Sequence, residues 1–97
     1  MVILIKKTLI EYADKHPEAS APLNNWYNIA KAANWNMLAD IKSVFNSVDY
    51  VGNDRYVFNI KGNHFRLIAM IFFDKRTLFI RFIGTHSEYD KIDCSTI

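Results

Sequence analysis

In the first 45 residues, hydrophobic and polar side chains recur with the period of amphipathic helices. Apolar side chains recur every third or fourth position in two stretches, residues 6–16 and 23–33, and a shorter helix is predicted from about residue 37 or 40 to residue 45. Pro17 is expected to end the first helix, and Ala21-Pro22 to begin the second. The N-terminal half is therefore predicted to be mainly helical.

The period changes to two beyond residue 54, where β-branched and aromatic residues alternate with polar ones. Three strands are predicted there, at residues 56–60, 65–73 and 78–83, with a turn at Gly62-Asn63 between the first two. Because the connections are short, these strands should be consecutive and antiparallel. Residues 49–54 are predicted to form a turn that separates the helices from the strands.

A further short strand is predicted at residues 2–5, and a short helical turn near residues 85–91. Ninety-seven residues, 51% of them hydrophobic, suit one domain with one core, so residues 1–97 are expected to form a single domain. The expected class is α+β, with N-terminal helices packed on one side of a small twisted antiparallel sheet.

Several function classes are excluded by what the composition lacks. Cys94 is the single cysteine, so no internal disulfide can form, and no Cys/His cluster has metal-binding spacing. We therefore predict no cofactor and no metal. No apolar run approaches the ~20 residues of a membrane span, and the chain starts with no signal-peptide pattern, which predicts a soluble cytoplasmic protein without membrane contact.

Positive charge is concentrated in the predicted strands. Six cationic side chains lie between residues 55 and 81 against one acid, Asp74, in a chain whose formal net charge is only +2. They are Arg55, Lys61, Arg66, Lys75, Arg76 and Arg81. Such a local excess predicts a polyanionic partner, with RNA first.

The predicted hairpin brings polar groups together. A two-residue loop at Gly62-Asn63 pairs Asn59 with Arg66, and alternation places Asn59, Lys61, His64 and Arg66 on one face. A loop with an even number of residues before the last strand pairs Met70 with Arg81, which adds Arg81 to that face, while Met70, Phe72, Phe79 and Ile83 would share it. His86 should lie just beyond, and Arg55 at one margin.

Arginines, an amide and histidines without a carboxylate cluster suit metal-free cleavage of RNA. An arginine fork holds phosphate oxygens, and a histidine gives or takes a proton near neutral pH. Structural alternatives stay open for each residue: Arg66 and Arg81 could pair with helix acids such as Glu11 or Asp40. Lys61 and His64 could be solvated turn residues, and His86 could belong to a closing turn capped by Thr85 or Ser87. Trp26, Tyr27 and Trp35, at helical spacing, are predicted to be core anchors.

Two motifs resemble a known family. One is Phe58-Asn59 followed by Gly62-Asn63 and Arg66, and the other is the run Thr85-His86-Ser87-Glu88-Tyr89-Asp90. With further matches at residues 14–18 and 41–45, the chain is similar over nearly its whole length to the HigB family of toxins. The resemblance implies a RelE-like fold and an mRNA interferase of a type II toxin–antitoxin pair, which cleaves mRNA on the translating 70S ribosome.

The resemblance also implies site residues and a partner. Asn59, Arg66 and His86 occupy the motif positions of the active-site set, and Arg81 and Tyr89 are further candidates. We therefore predict Asn59, Arg66, Arg81 and His86 as catalytic residues and Arg55, Lys61, His64 and Tyr89 as substrate-binding residues; Arg55, Lys61 and His64 rest on charge and geometry alone. The implied partner is a helix-turn-helix antitoxin, in a toxin–antitoxin heterotetramer.

Two other functions remain compatible with the sequence. The basic face could belong to a non-catalytic module that binds RNA or an antitoxin, with RNA binding that falls steeply with salt but no cleavage. The chain could also be a partner-binding subunit that has lost toxicity.

Overall fold

The computed structural model describes residues 1–97. Nine elements follow one another along the chain: β1 Val2–Leu4, α1 Lys7–Lys15, α2 Pro17–Ala32, α3 Leu38–Lys42, β2 Asp49–Gly52, β3 Arg55–Ile60, β4 Phe65–Phe72, β5 Thr77–Thr85 and α4 His86–Tyr89. The predicted α+β class is confirmed. No helix is long and apolar enough to cross a membrane.

The five strands form one sheet in the order β1-β5-β4-β3-β2. The strands from β2 to β5 are antiparallel to their neighbours, whereas β1 runs parallel to β5, with Val2 opposite Thr77. The prediction of a wholly antiparallel sheet is therefore wrong at this edge. More than 70 residues separate the two strands in sequence, so no tight turn dictates their relative direction.

A strand occupies part of the segment predicted to be a turn. β2 pairs with β3, placing Asp49 opposite Val57, and the turn itself is confined to Asn53 and Asp54, which have φ of 50° and 64°. Asn and Asp tolerate this left-handed conformation better than most residues. The added strand places Asp49 at the edge of the sheet, next to β3.

Helix α2 is longer than predicted. It begins at Pro17 rather than near Pro22, which lies inside it. Pro17 occupies the first helical turn, where a missing backbone N–H costs nothing. Pro22 removes a single interior hydrogen bond, and packing of Trp26 and Leu23 into the core offsets that loss. The helix therefore continues through a residue that local rules treat as a boundary.

The helices pack on one face of the sheet around Phe58, which is 1% exposed. Its ring lies 5.3 Å from that of Trp26, 5.5 Å from Phe45 and 6.3 Å from Trp35, measured between centroids. Trp26 and Trp35 are buried, as their helical spacing predicted. This aromatic cluster fixes the sheet against the helices.

The first hairpin has the predicted register. Asn59 lies opposite Arg66, and the neighbouring pairs Phe58–Leu67 and Ile60–Phe65 turn their side chains to the helices. Alternation then directs Asn59 and Arg66 to the opposite side of the sheet, called the outer face here. A turn over residues 61–64 closes the hairpin, with the His64 N–H donating to the Lys61 carbonyl at 3.2 Å.

The second hairpin differs from its predicted register. Met70 lies opposite Phe79 rather than Arg81, and the pairing shifts by one residue between Ile80 and Phe82. Arg81 is the extra, unpaired residue of this β-bulge. The shift turns Ile83 toward the helices, where it is buried, so its predicted place on the charged face is also wrong. The bulge lets two isoleucines three residues apart, Ile80 and Ile83, both reach the core.

The outer face is covered in part by the C-terminal segment, residues 93–97. Val57 and Ile68 are 5% and 0% exposed although they lie outside the helix-side core. The side chain of Asn53 donates to the Ser95 carbonyl at 2.9 Å, and arginines from β3 and β5 donate to the main-chain oxygen of Ile97. This segment therefore lies on the side of the sheet that the helices leave open.

Candidate functional site

A pocket of about 330 Å³ opens on the outer face, between β2, the β3–β4 hairpin and α4. Polar side chains converge there from elements that are far apart in sequence. The lining residues are Ser47, Val48, Asp49, Val57, Asn59, Arg66 and Tyr89. Three of the eight predicted site residues, Asn59, Arg66 and Tyr89, are thus brought together, whereas the other five are not among the lining residues.

Arg66 supplies the positive charge of this pocket and has no carboxylate partner. Its Nη1 donates to Oδ1 of Asn63 at 3.2 Å, and its guanidinium carbon lies 5.8 Å from the centre of the Tyr89 ring. The Lys7–Glu11 ion pair and the close contact between His86 and Asp90 do not include it. An arginine with unused donors at the wall of a pocket is available to an anion.

The hypothesis that Arg66 and Arg81 pair with helix acids is wrong. Glu11 instead lies 3.5 Å from Lys7, and Asp40 accepts a hydrogen bond from the backbone N–H of Asn36 at 2.8 Å. Both acids lie on the helical elements, whereas alternation directs Arg66 to the outer face. The sheet itself separates these charges.

Helix α4 presents Tyr89 to Arg66 and is held by a capping box. The Oγ1 of Thr85 accepts from the Glu88 N–H at 3.1 Å, and the Glu88 Oε1 accepts from the Thr85 N–H at 2.7 Å. Thr85 is therefore the cap, one of the two predicted candidates. On the other side, the Tyr12 hydroxyl donates to Glu88 at 3.4 Å, which links α4 to α1.

Gly84 brings β5 close to the site directly before α4. It lies opposite Arg66, and a Cβ at this position would stand 2.6 Å from the Phe82 ring and 3.2 Å from the Glu88 Cβ. Such distances are shorter than van der Waals contact. Glycine therefore allows the Phe82 ring to lie over the strand beside the arginine.

Tyr89 keeps its phenol proton at physiological pH. Burial first, and then the hydrogen bond and the charge interaction with Cys94, raise its pKa to about 12, while the charge of Arg66 opposes the rise. A protonated phenol can donate a hydrogen bond to a phosphate oxygen. Tyr89 is thus suited to binding an anion together with Arg66.

His86 occupies the first turn of α4, close to the pocket but exposed. Its Nδ1 lies 3.2 Å from Oδ2 of Asp90, and its backbone N–H donates to the His64 carbonyl at 3.2 Å. Residues three apart share a side of a helix, so His86 and Tyr89 point to the same side of α4. Lys61 and His64 are exposed in the turn that closes the hairpin.

The remaining cations of the basic stretch separate into different surroundings. Arg55 and Arg81 meet at the Ile97 oxygen beneath the C-terminal segment. Arg76 donates to the side chains of Asn34 and Asn36 and to the Trp35 carbonyl, and so holds the loop after α2. The single basic cluster expected from sequence is therefore divided, and Arg66 alone lines the pocket.

Two polar residues of the pocket were not predicted. Asp49 and Ser47 reach it from β2 and the segment before it. Asp49 brings a carboxylate close enough to raise the pKa of Tyr89. Alternation of polar and apolar residues from Ser47 to Tyr50 was the available signal, but the nearby turn residues Gly52-Asn53-Asp54 concealed it. No group of three or more His, Cys, Asp and Glu side chains is arranged to hold a metal ion.

Comparison with known proteins identifies the family. Residues 19–92 match the HigB toxin family, described as the RelE-like toxic component of a toxin–antitoxin system. The chain belongs to the HigB toxin family. The mRNA interferase toxin HigB of Escherichia coli K12 is 34% identical over 93 residues, which cover 93% of this chain and 88% of the relative. The mRNA interferase HigB of Escherichia coli O6:H1 is 31% identical over 94 residues, covering 95% and 91%.

The predicted resemblance is thereby confirmed, and a HigB-family toxin has an antitoxin as its partner. The matched residues include the whole polar wall of the pocket and helix α4, but they end before the C-terminal segment, residues 93–97.

Proposed function

We propose that this HigB-family toxin is a ribosome-dependent, metal-independent endoribonuclease that cleaves translated mRNA at the Arg66 pocket. The observation that carries the proposal is an arginine without a carboxylate partner, flanked by an amide and a protonated phenol in a pocket of about 330 Å³. The names of the similar proteins, mRNA interferases, support the same activity.

The chemical step uses the RNA's own 2′-hydroxyl. Its oxygen forms a bond to the adjacent phosphorus, the bond from phosphorus to the 5′-oxygen breaks, and the products end in a 2′,3′-cyclic phosphate and a 5′-hydroxyl. One proton leaves the 2′-oxygen and one is delivered to the 5′-oxygen. The phosphorane between these states carries extra negative charge, which fixed donors must hold.

Each residue at the pocket has a role in this scheme. Arg66 holds the phosphorane oxygens through its guanidinium fork, and Tyr89 donates to one of them from its phenol. Asn59, directly opposite Arg66, positions the nucleotide with its amide. Asp49 supplies a carboxylate suited to accepting the 2′-hydroxyl proton, and His86, on the same side of α4 as Tyr89, exchanges the proton of the leaving group.

The ribosome and the antitoxin complete the proposal. His86 is exposed and does not line the pocket, so the acid–base set is incomplete in the isolated protein. A ribosome that presents and orients the mRNA would supply what is missing. The cognate antitoxin, with a helix-turn-helix domain, is proposed to hold the toxin inactive in a heterotetramer, which the measured mass of the purified complex tests.

The deciding experiment compares translated and naked mRNA. We expect the protein to produce new 5′ ends within codons of mRNA on 70S ribosomes, and far fewer without ribosomes. Arg66→Ala should lower cleavage about 100-fold to 1,000-fold, the loss typical of one charge-stabilising donor. Arg66→Lys keeps the charge but not the guanidinium fork, so its cleavage rate should lie between those of the unchanged protein and Arg66→Ala. Lys42→Ala, on the helical side, removes an exposed charge and serves as the control.

Three other results would change the conclusion. Undiminished cleavage by Arg66→Ala would move the reaction away from this pocket. Tight, strongly salt-dependent RNA binding without any cleavage on ribosomes would establish the non-catalytic module instead. Cleavage that survives in His86→Ala would assign the proton transfers to other groups.

A further inference from the structure

Arg55 and Arg81 converge on one oxygen atom, although they come from different strands. Arg55 Nη2 and Nε lie 2.9 and 3.3 Å from the main-chain oxygen of Ile97, and Arg81 Nε lies 3.2 Å from the same atom. Neither arginine takes part in an ion pair with a carboxylate side chain. Two guanidinium groups thus share a single acceptor.

The backbone arranges this convergence. Arg55 lies opposite Met70 on β4, Met70 lies opposite Phe79 on β5, and the bulge then places Arg81 as the unpaired residue two positions later. The two arginines therefore approach from both sides of β4. Like charges repel at this distance unless an anion lies between them, and a phosphate accepts hydrogen bonds from both guanidinium groups at once.

The segment that provides the shared oxygen is attached by side-chain hydrogen bonds and not by strand pairing. Residues 93–97 contain no regular element beyond turns, and the sheet holds them through the Asn53–Ser95 bond of 2.9 Å and the arginine bonds to Ile97. The Asp93 carboxylate binds Ser95 within the segment itself. Short segments held by a few surface hydrogen bonds open at low free-energy cost.

We propose that Arg55 and Arg81 form a second RNA-phosphate subsite, which the Ile97 oxygen occupies when RNA is absent. The inference rests on the proposed function, since it assigns the same RNA a second contact. Arg55 lies four positions before Asn59 along β3, a distance of about 13 Å in a strand, so the subsite would hold a different phosphate from the one at Arg66. RNA bound along the outer face displaces residues 93–97.

Binding rather than cleavage tests this subsite. The probe is a single-stranded, 2′-O-methylated RNA oligonucleotide, which cannot be cut, with affinity followed by fluorescence anisotropy from 50 to 200 mM salt. Arg55→Gln combined with Arg81→Gln should weaken binding several-fold and reduce the slope of log K against log salt by about 0.7, the contribution of one phosphate on a single strand. Lys15→Ala with Lys31→Ala removes two helix-side charges as the matched control.

A second variant loosens the C-terminal segment and keeps both arginine side chains, together with the Asn53 main-chain oxygen that accepts from Arg55 Nη1 at 2.8 Å. Asn53 has φ of 50°, so Asn53→Gly removes the bond to Ser95 and keeps a conformation that glycine adopts easily. RNA binding should become about twofold to tenfold tighter, the range that one hydrogen bond supplies. This variant also keeps the test valid should the double arginine variant fold poorly.

The outcomes separate the subsite from the proposed function. If the double arginine variant matches the lysine control in slope and Asn53→Gly binds no tighter, the pair only anchors residues 93–97 and the inference is wrong. Inorganic phosphate that shifts the Ile97 amide resonance, with the RNA slope unchanged, would establish a small-anion site and reject RNA. If either of these results is found and cleavage still depends on Arg66, the proposed function stands and only the second subsite is rejected.

Discussion

Replacing Thr85 with alanine should loosen α4 without stopping cleavage. The helix has four residues and buries none of them, and a helix this short has no stability of its own in water. Its order depends mainly on the two hydrogen bonds of the capping box, 3.1 and 2.7 Å long. Thr85→Ala removes the first and keeps the second, because the backbone N–H of residue 85 remains.

The expected size of the effect follows from these two bonds. If each contributes about 1 kcal/mol, the ordered state of α4 is favoured by about 2 kcal/mol, roughly 30 to 1, and the variant lowers this to about 5 to 1. Hydrogen exchange at the Tyr89 and Asp90 amides should then be about fivefold faster. The ordered fraction falls only from about 97% to about 83%, so cleavage should fall by less than twofold.

The assay pairs exchange rates with cleavage of ribosome-bound mRNA, and Thr85→Ser provides the matched control because it retains the accepting oxygen. Both quantities should stay near their original values in that variant. Unchanged exchange at Tyr89 in Thr85→Ala would show that the cap does not hold α4. A cleavage loss above tenfold would show that the Thr85 hydroxyl acts in the reaction itself, contrary to the role inferred here.

Two further predictions concern acidity and the core. The hydrogen bond from the backbone N–H of Thr85 lowers the pKa of Glu88. The Glu88 carboxylate therefore stabilises α4 fully above the ordinary glutamate pKa, and this stabilisation is lost as the pH falls through the lowered pKa of Glu88. Protection of the Tyr89 amide from hydrogen exchange should fall with acid in the native protein but not in Glu88→Gln. The indole N–H of Trp26 is buried without a hydrogen-bond partner, so Trp26→Phe, which removes that donor, should cost less than about 2 kcal/mol in denaturant unfolding, whereas Trp26→Ala should cost about 3–5 kcal/mol.

The candidate site was only partly predictable, and its predictable part is local. Asn59 and Arg66 could be paired because the Gly62-Asn63 turn fixes the register of a hairpin only a few residues long. The cap at Thr85 could be recognised because Glu88 stands three residues later. Asp49 could not be assigned to the same pocket, since its strand is recognised only through pairing with β3.

The sequence by itself determined the α+β class, the burial of Trp26 and Trp35 and the facing of Asn59 and Arg66, because hydrophobic period and turn chemistry act over a few neighbouring residues. Tertiary structure alone decided the parallel pairing of β1, the bulge at Arg81 and the course of residues 93–97. The contact between Arg55 and Ile97 joins residues 42 positions apart, and no local pattern carries that information. The fold adopts the pairings that bury the most apolar surface while buried polar groups keep hydrogen-bond partners. Both conditions depend on the whole fold and not on neighbouring residues.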